Sequence, residues 1–187
     1  LKRVTVELPH NEDKIVLLKP GWNTRIHARF NDNQQLDTFY FAGKGGIENQ
    51  IYRDFRNLSV KTYEHMRNKP QRFIHVLDSL ETEMKARINE ADTTMDSEFL
   101  EKMQYEIPYS KISRWNSYKR YARRYNYTLD TPYVQDYERQ LKATISLNDP
   151  KGLKASFYRY VLRDSIRKGA SERVDTEALK AKYPDNQ

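Results

Sequence analysis

The residues best suited to chemistry by type and spacing lie in one run, Tyr109 to Tyr127. It holds Lys111, Arg114, Lys119, Arg120, Arg123 and Arg124, with no acidic residue among them. On a helix, positions four apart fall one turn above each other, so Arg120 and Arg124 align, as do Lys119 and Arg123. The spacing predicts a basic ridge of Lys119, Arg120 and Arg124, with Trp115, Ala122 and Tyr125 turned to the core. Such a ridge suits phosphates, because each neutralised phosphate releases condensed counterions. An arginine also offers a rigid fork to two phosphate oxygens. Tyr121 and Tyr127 supply rings on which an unpaired base can stack. Asn116 and Asn126 could read base edges or bond the backbone.

A second basic stretch repeats the pattern. Lys151, Lys154, Arg159, Arg163, Arg167 and Lys168 stand against one acid, Asp164. Arg159, Arg163 and Arg167 are four apart and so share one helix face. Two plainer readings compete with phosphate binding: Lys/Arg-rich helix faces are commonly just solvated, and Arg and Tyr also build protein interfaces.

Other constellations carry less. Phe41-Ala-Gly-Lys-Gly-Gly-Ile-Glu48 puts a glycine-rich turn between a strand and a helix, where backbone donors and Lys44 could meet a phosphate. It has neither the P-loop nor the dinucleotide-binding spacing. Gly43, Gly45 and Gly46 therefore read as a positive-φ or flexible connection. The histidines are His10, His27, His65 and His75, with no pair at i and i+4. His27 has Arg25 and Arg29 as same-face neighbours on a strand, and this face with Lys44 forms a secondary phosphate surface. Glu81, Glu83 and Lys85 contain a Glu-x-Lys, but they fall in a helical stripe, where Glu81 and Lys85 read as a surface pair. No catalytic residue, metal ligand or cofactor is assigned from these patterns.

The elements that must carry these residues divide at about residue 42. Val4, Val6 and Leu8 alternate with polar neighbours. Ile15–Leu18 is a short apolar run closed by Pro20-Gly21. Trp22–Phe30 alternates again, Asn31-Asp32-Asn33 turns the chain, and Leu36–Phe41 is a further strand. The period then becomes helical. Ile47, Ile51, Phe55 and Leu58 form one stripe, and a short segment runs from Ser59 to Arg67. Phe73, Leu77, Leu80, Met84 and Ile88 form another after Pro70. Asp96 or Ser97 caps a helix, Pro108 ends it, and Ser110 starts the next. Thr131-Pro132 and Asp149-Pro150 are two further starts. Gly169 ends the last of these, and 175–182 adds a turn or two.

The expected fold is thus α+β. A small N-terminal antiparallel β unit precedes a predominantly helical region of about six helices. The segments are 1–42 (β-rich), 43–107 (helical core) and 108–187 (basic helical).

Composition sets the outer bounds. The chain has 187 residues, enough for one ordinary domain or two small ones. Its net charge is +7, and no cysteine is present. The latter excludes disulfide frameworks, cysteine zinc sites and thiol nucleophiles. Residues 1–100 hold 15 basic and 15 acidic residues, while residues 101–187 hold 18 and 11. The whole excess therefore sits with the basic helices, which says more about a partner than total charge does. No apolar run approaches the ~20 residues of a membrane helix. Leu1–Val6 contains no signal-like stretch, and the expected location is intracellular, either cytoplasmic or associated with the nucleoid or nucleus. The leading expectation is a noncatalytic nucleic-acid-binding protein. The alternatives are an assembly subunit, with a protein partner or second copy of the chain on the same surface, and a phosphodiester enzyme.

Overall fold

The computed structural model describes residues 1–8, 14–91 and 94–167. Four strands come first and five α-helices follow among these residues, an α+β arrangement with one helix fewer than expected. The chain divides into two compact units. One is Leu1–Val60 with Glu83–Glu101, and the other is Lys61–Thr82 with Lys102–Gln187. Each unit draws on two separated stretches of chain.

In the first unit, β1 (Lys2–Val6) pairs antiparallel with β2 (Lys14–Leu18). Separately, β3 (Arg25–Phe30) pairs antiparallel with β4 (Leu36–Ala42), with an irregularity in register between Arg29 and Phe30. The expected single β unit is therefore two two-stranded ribbons. The turn between β3 and β4 is built by Asn31, whose Oδ1 accepts the N–H groups of Asn33 (3.1 Å) and Gln35 (2.9 Å). The β2 edge is finished by a side chain. Asn49 Oδ1 accepts the Leu17 N–H at 2.7 Å, and Asn49 Nδ2 donates to the Leu17 carbonyl at 3.0 Å.

Asn49 lies on α1 (Gly46–Lys61), which follows the glycine-rich turn. Gly43 and Gly45 adopt φ of +78° and +87° there, and a Cβ on Gly45 would overlap the Trp22 ring. The buried face of α1 holds Ile51, Tyr52 and Phe55. Ile47, expected in that stripe, is 42% exposed, because Glu48 and Asn49 turn inward instead. Helix α1 runs on past Ser59 to Lys61, and only a 3-10 turn, Thr62–His65, stands where a separate helix is expected.

Helices α2 (Pro70–Ala91) and α3 (Ser97–Arg124) each contribute to both units. Asp96 caps α3, its Oδ1 accepting the Glu98 N–H at 3.0 Å. The expected break at Pro108 does not occur: α3 passes through it. An interior proline costs ~3 kcal/mol by removing a hydrogen bond and crowding a carbonyl. Burial of Phe99, Met103 and Ile107 before it, and Ile112, Trp115 and Tyr118 after it, outweighs that, at roughly 1.5–3 kcal/mol per large apolar side chain.

The second unit is an aromatic-rich helical core. Phe73 of α2 stacks on Tyr118 at 4.1 Å between ring centroids, and Trp115 lies 5.4 Å from Tyr118. The buried tyrosines keep their hydroxyls satisfied on backbone carbonyls: Tyr109 on Ser146 (2.7 Å), Tyr118 on Asn68 (2.7 Å) and Tyr158 on Leu147 (2.6 Å). Helix α4 (Pro132–Ala143) starts as expected, with Thr131 Oγ1 accepting the Val134 N–H.

The last start differs from expectation. Asp149-Pro150 opens only a 3-10 turn, Pro150–Lys154, and α5 begins at Tyr158 and runs to Arg167. Two α3 side chains take the backbone groups that a continuing helix would use. Lys102 Nζ donates to the Lys154 carbonyl (2.8 Å), and Glu106 accepts the Ser156 N–H (2.6 Å). Gly152 lies two residues before Lys154, where a Cβ would come within 2.6 Å of Tyr109 Oη. Gly169 and 175–182 lie outside the described residues. No helix among the described residues is long and apolar enough to cross a membrane.

Candidate nucleic-acid interface

The acid-free run lies on the second half of α3, but other helices of the same unit bring carboxylates to most of its cations. Lys111 is 13% exposed and sits 2.7 Å from Asp78 and 2.5 Å from Glu81 of α2. Burial pulls the Lys111 ammonium down, but hydrogen bonds to Asp78 and Glu81 outweigh it and hold the group above its ordinary value. Arg114 is 8% exposed, its guanidinium 4.5 Å from the Tyr63 ring centroid and 5.3 Å from that of Phe157. Lys119 is paired with Glu138 of α4. Arg120 is exposed but held by Asp164 of α5 at 3.0 Å. The expected ridge of Lys119, Arg120 and Arg124 is therefore partly neutralised by neighbours.

The last turn of α3 is different. Arg123 and Arg124 are exposed. Arg67, from the stretch before α2, is exposed beside Tyr121 and Tyr125. Tyr121 and Tyr125 lie 4.9 Å apart, with their hydroxyls 3.2 Å from each other. Tyr127 continues the row, 6.1 Å from Tyr125, and its hydroxyl donates to the Arg67 carbonyl at 2.7 Å. Tyr125, expected in the core, is 45% exposed.

The helix end sets this arrangement. Asn126 takes φ +54°, and Tyr127 N–H returns to the Ala122 carbonyl at 3.0 Å, the six-to-one closure of a left-handed helix cap. That turn swings Tyr127 back beside the helix. The Tyr125 hydrogen bond, and then Arg67, hold the Tyr121 phenol below its ordinary value. The same hydrogen bond raises Tyr125.

On α5, Arg159 and Arg163 are exposed, and Arg163 lies 5.4 Å over the Tyr160 ring. Arg167 closes α5; its side chain, like Lys168, lies outside the described residues. Among the described residues no carboxylate pairs with Arg67, Arg123, Arg124, Arg159 or Arg163.

The secondary surface lies in the first unit. Arg25, His27 and Arg29 alternate along β3 and are all exposed, and Lys44 is exposed in the loop after β4. His27 stacks on Tyr40 at 4.5 Å with rings 2° from parallel. Arg29 Nε is 3.9 Å from Asp37. The glycine-rich turn uses its own donors: Lys44 N–H bonds Asn23 Oδ1 (2.7 Å), and Gly46 N–H bonds the Gly43 carbonyl (2.9 Å).

His65 Nδ1 lies 3.3 Å from Asn68 Nδ2, His75 is exposed, and His10 lies outside the described residues. Glu81 is taken by Lys111, and Glu83 by Arg87 at 2.7 Å. Among the described residues no group of three or more His, Asp or Glu side chains could hold a metal ion.

Arg67 and Tyr125 are the members of the α3 patch that spacing does not supply. Arg67 lies far from the run in sequence, and Tyr125 lies past the point where the helical phase still holds. Asp78, Glu81 and Glu138 each adjoin an apolar stripe residue of their own helix, and Asp164 lies one turn after Val161, which was the available sign that these helices turn carboxylates toward α3.

No protein-family model, curated protein sequence or solved structure matches this chain.

Proposed function

We propose that this chain is a noncatalytic nucleic-acid-binding protein. On this reading, its primary contact is the cationic tyrosine patch at the end of α3. The supporting observation is the sorting of charge within the second unit. Cations nearer the core are matched with carboxylates or rings, whereas Arg67 and Arg124 stay exposed beside three adjoining phenol rings, and Arg123 is exposed on the same last turn of α3. Guanidinium groups beside the exposed Tyr125 ring and the half-buried Tyr121 and Tyr127 rings suit a phosphate backbone with bases laid on the rings. Arg159 and Arg163 extend the cationic surface on α5.

Polarization binding of labelled single- and double-stranded DNA and RNA tests this, comparing wild type with Arg67→Ala/Arg124→Ala. The expected result is a loss of about tenfold or more at low salt. Unchanged affinity, or no binding by the wild type at low salt, sinks the reading.

A second reading, an assembly subunit, draws support from Tyr133 and Tyr160, both 53% exposed in the same unit. Solution mass without nucleic acid separates the two: an assembly subunit is oligomeric at low micromolar concentration.

A further inference from the structure

The β3–β4 ribbon has two unlike faces. By register, Ile26, Ala28, Phe39 and Phe41 share one, and Arg25, His27, Arg29, Thr38 and Tyr40 share the other. The first face is anchored through β4, while Ile26 and Ala28 of β3 are exposed on it. Phe41 is buried, and Arg53 of α1 both donates to the Phe39 carbonyl and lies 5.6 Å over the Phe39 ring. Every named residue of the second face is exposed. The outer edge of β3 has no strand partner among the described residues.

We propose that this ribbon enters the major groove of B-form duplex DNA with its cationic face toward the base edges. A two-stranded ribbon, with strands about 4.8 Å apart, fits a groove about 12 Å wide. Arg25 and Arg29 stand about 13 Å apart along the strand, with the flat His27–Tyr40 stack between them. Arginine forks are the side chains that best match guanine edges, and an amide such as Asn33 at the exposed tip matches adenine. Lys44 follows the base of the ribbon, where Arg25 pairs with Ala42, and is placed for a flanking phosphate. Asp37 near Arg29 and Asp32 in the turn repel phosphate at the tip, so the base end carries the backbone contacts. Arg25, Arg29 and Lys44 make this face locally cationic despite Asp37 and Asp32, which suits a polyanion, and the shape of a two-stranded blade suits a wide groove.

This site is independent of the α3 patch and stands or falls separately. The test uses the full chain and mixed-sequence 20-base-pair duplexes of DNA and of RNA, because the A-form major groove is too deep and narrow for a ribbon. Arg25→Ala/Arg29→Ala is expected to weaken DNA-duplex binding about tenfold and RNA-duplex binding less than about twofold. Thr38→Arg adds a cation to the same face and is expected to tighten DNA binding several-fold, a gain that misfolding cannot produce. Equal losses on the two duplexes, no loss on DNA, or no gain from Thr38→Arg overturns the proposal. Arg123→Ala/Arg124→Ala serves as the contrast. It is expected to weaken both duplexes alike, so failure of the α3 reading is visible apart from failure of this one.

Discussion

Lys111 and Arg124 belong to one helix and one acid-free run, yet they occupy opposite settings. Lys111 is enclosed by Asp78 and Glu81, while Arg124 stands in solvent beside tyrosine rings. Local sequence is equally basic at both places. The difference comes from the other helices, which lie alongside the middle of α3 and leave its end uncovered. A run of positive charge is thus a supply, and tertiary packing decides how much of it remains for a partner. The β3–β4 ribbon makes the same point from the other side, since its fewer cations sit on a face that is exposed among the described residues.

Removing the enclosed cation is the strongest way to break this comparison. Lys111→Met leaves Asp78 and Glu81 facing an uncharged, largely buried position. Chemical denaturation is expected to show a loss of about 2–3 kcal/mol, less than for a fully buried pair because Asp78 is half exposed. Nucleic-acid affinity per folded molecule should stay unchanged. A variant of normal stability and weakened binding would assign Lys111 to the interface instead.

The uncovered end is sharpened through its rings. Tyr125→Ala is expected to cost about 1–2 kcal/mol of single-strand affinity, with folding stability nearly unaffected. Equal weakening on single strands and duplexes would mean that the ring does not stack on bases.

The smallest effect concerns the first unit. Lys19 bonds both oxygens of Asp96 at 2.8 Å, and Glu98 meets Lys19 at 3.2 Å. Lys19 holds Asp96 below the usual carboxylate range. Groups lowered in the folded state add stability above their unfolded pKa of about 4, and that stability is lost as pH falls through the folded value. Asp96→Asn keeps a good helix cap and removes the charge. It should cost at most ~1 kcal/mol at pH 7, with the gap to wild type closing as pH falls below the unfolded value of about 4 and through the lowered folded one. A gap independent of pH would place the whole effect in the cap.

Much of the fold was legible because its signals are local. Alternation marked the strands, and Thr131-Pro132 marked the start of α4. Local signals failed where distant groups overrule them. Pro108 reads as a stop, but the buried side chains on either side hold α3 together. Asp149-Pro150 reads as a helix start, but Lys102 and Glu106 capture the backbone after Gly152. The same limit applies to the candidate site. Spacing showed which residues share a face of α3, but not that Asp78, Glu81, Glu138 and Asp164 of other helices would meet Lys111, Lys119 and Arg120. Arg67 joins the patch only through the fold.

The most direct test of the sorted-charge account is the salt dependence of single-strand binding by two variants measured side by side. Arg123→Ala/Arg124→Ala removes exposed cations, and Lys119→Met removes one paired with Glu138. The account predicts a log–log slope shallower by about 1.4 for the first, at ~0.7 per phosphate contact on a single strand, and an unchanged slope for the second. An unchanged slope in the first, or an equal change per residue in both, would contradict it.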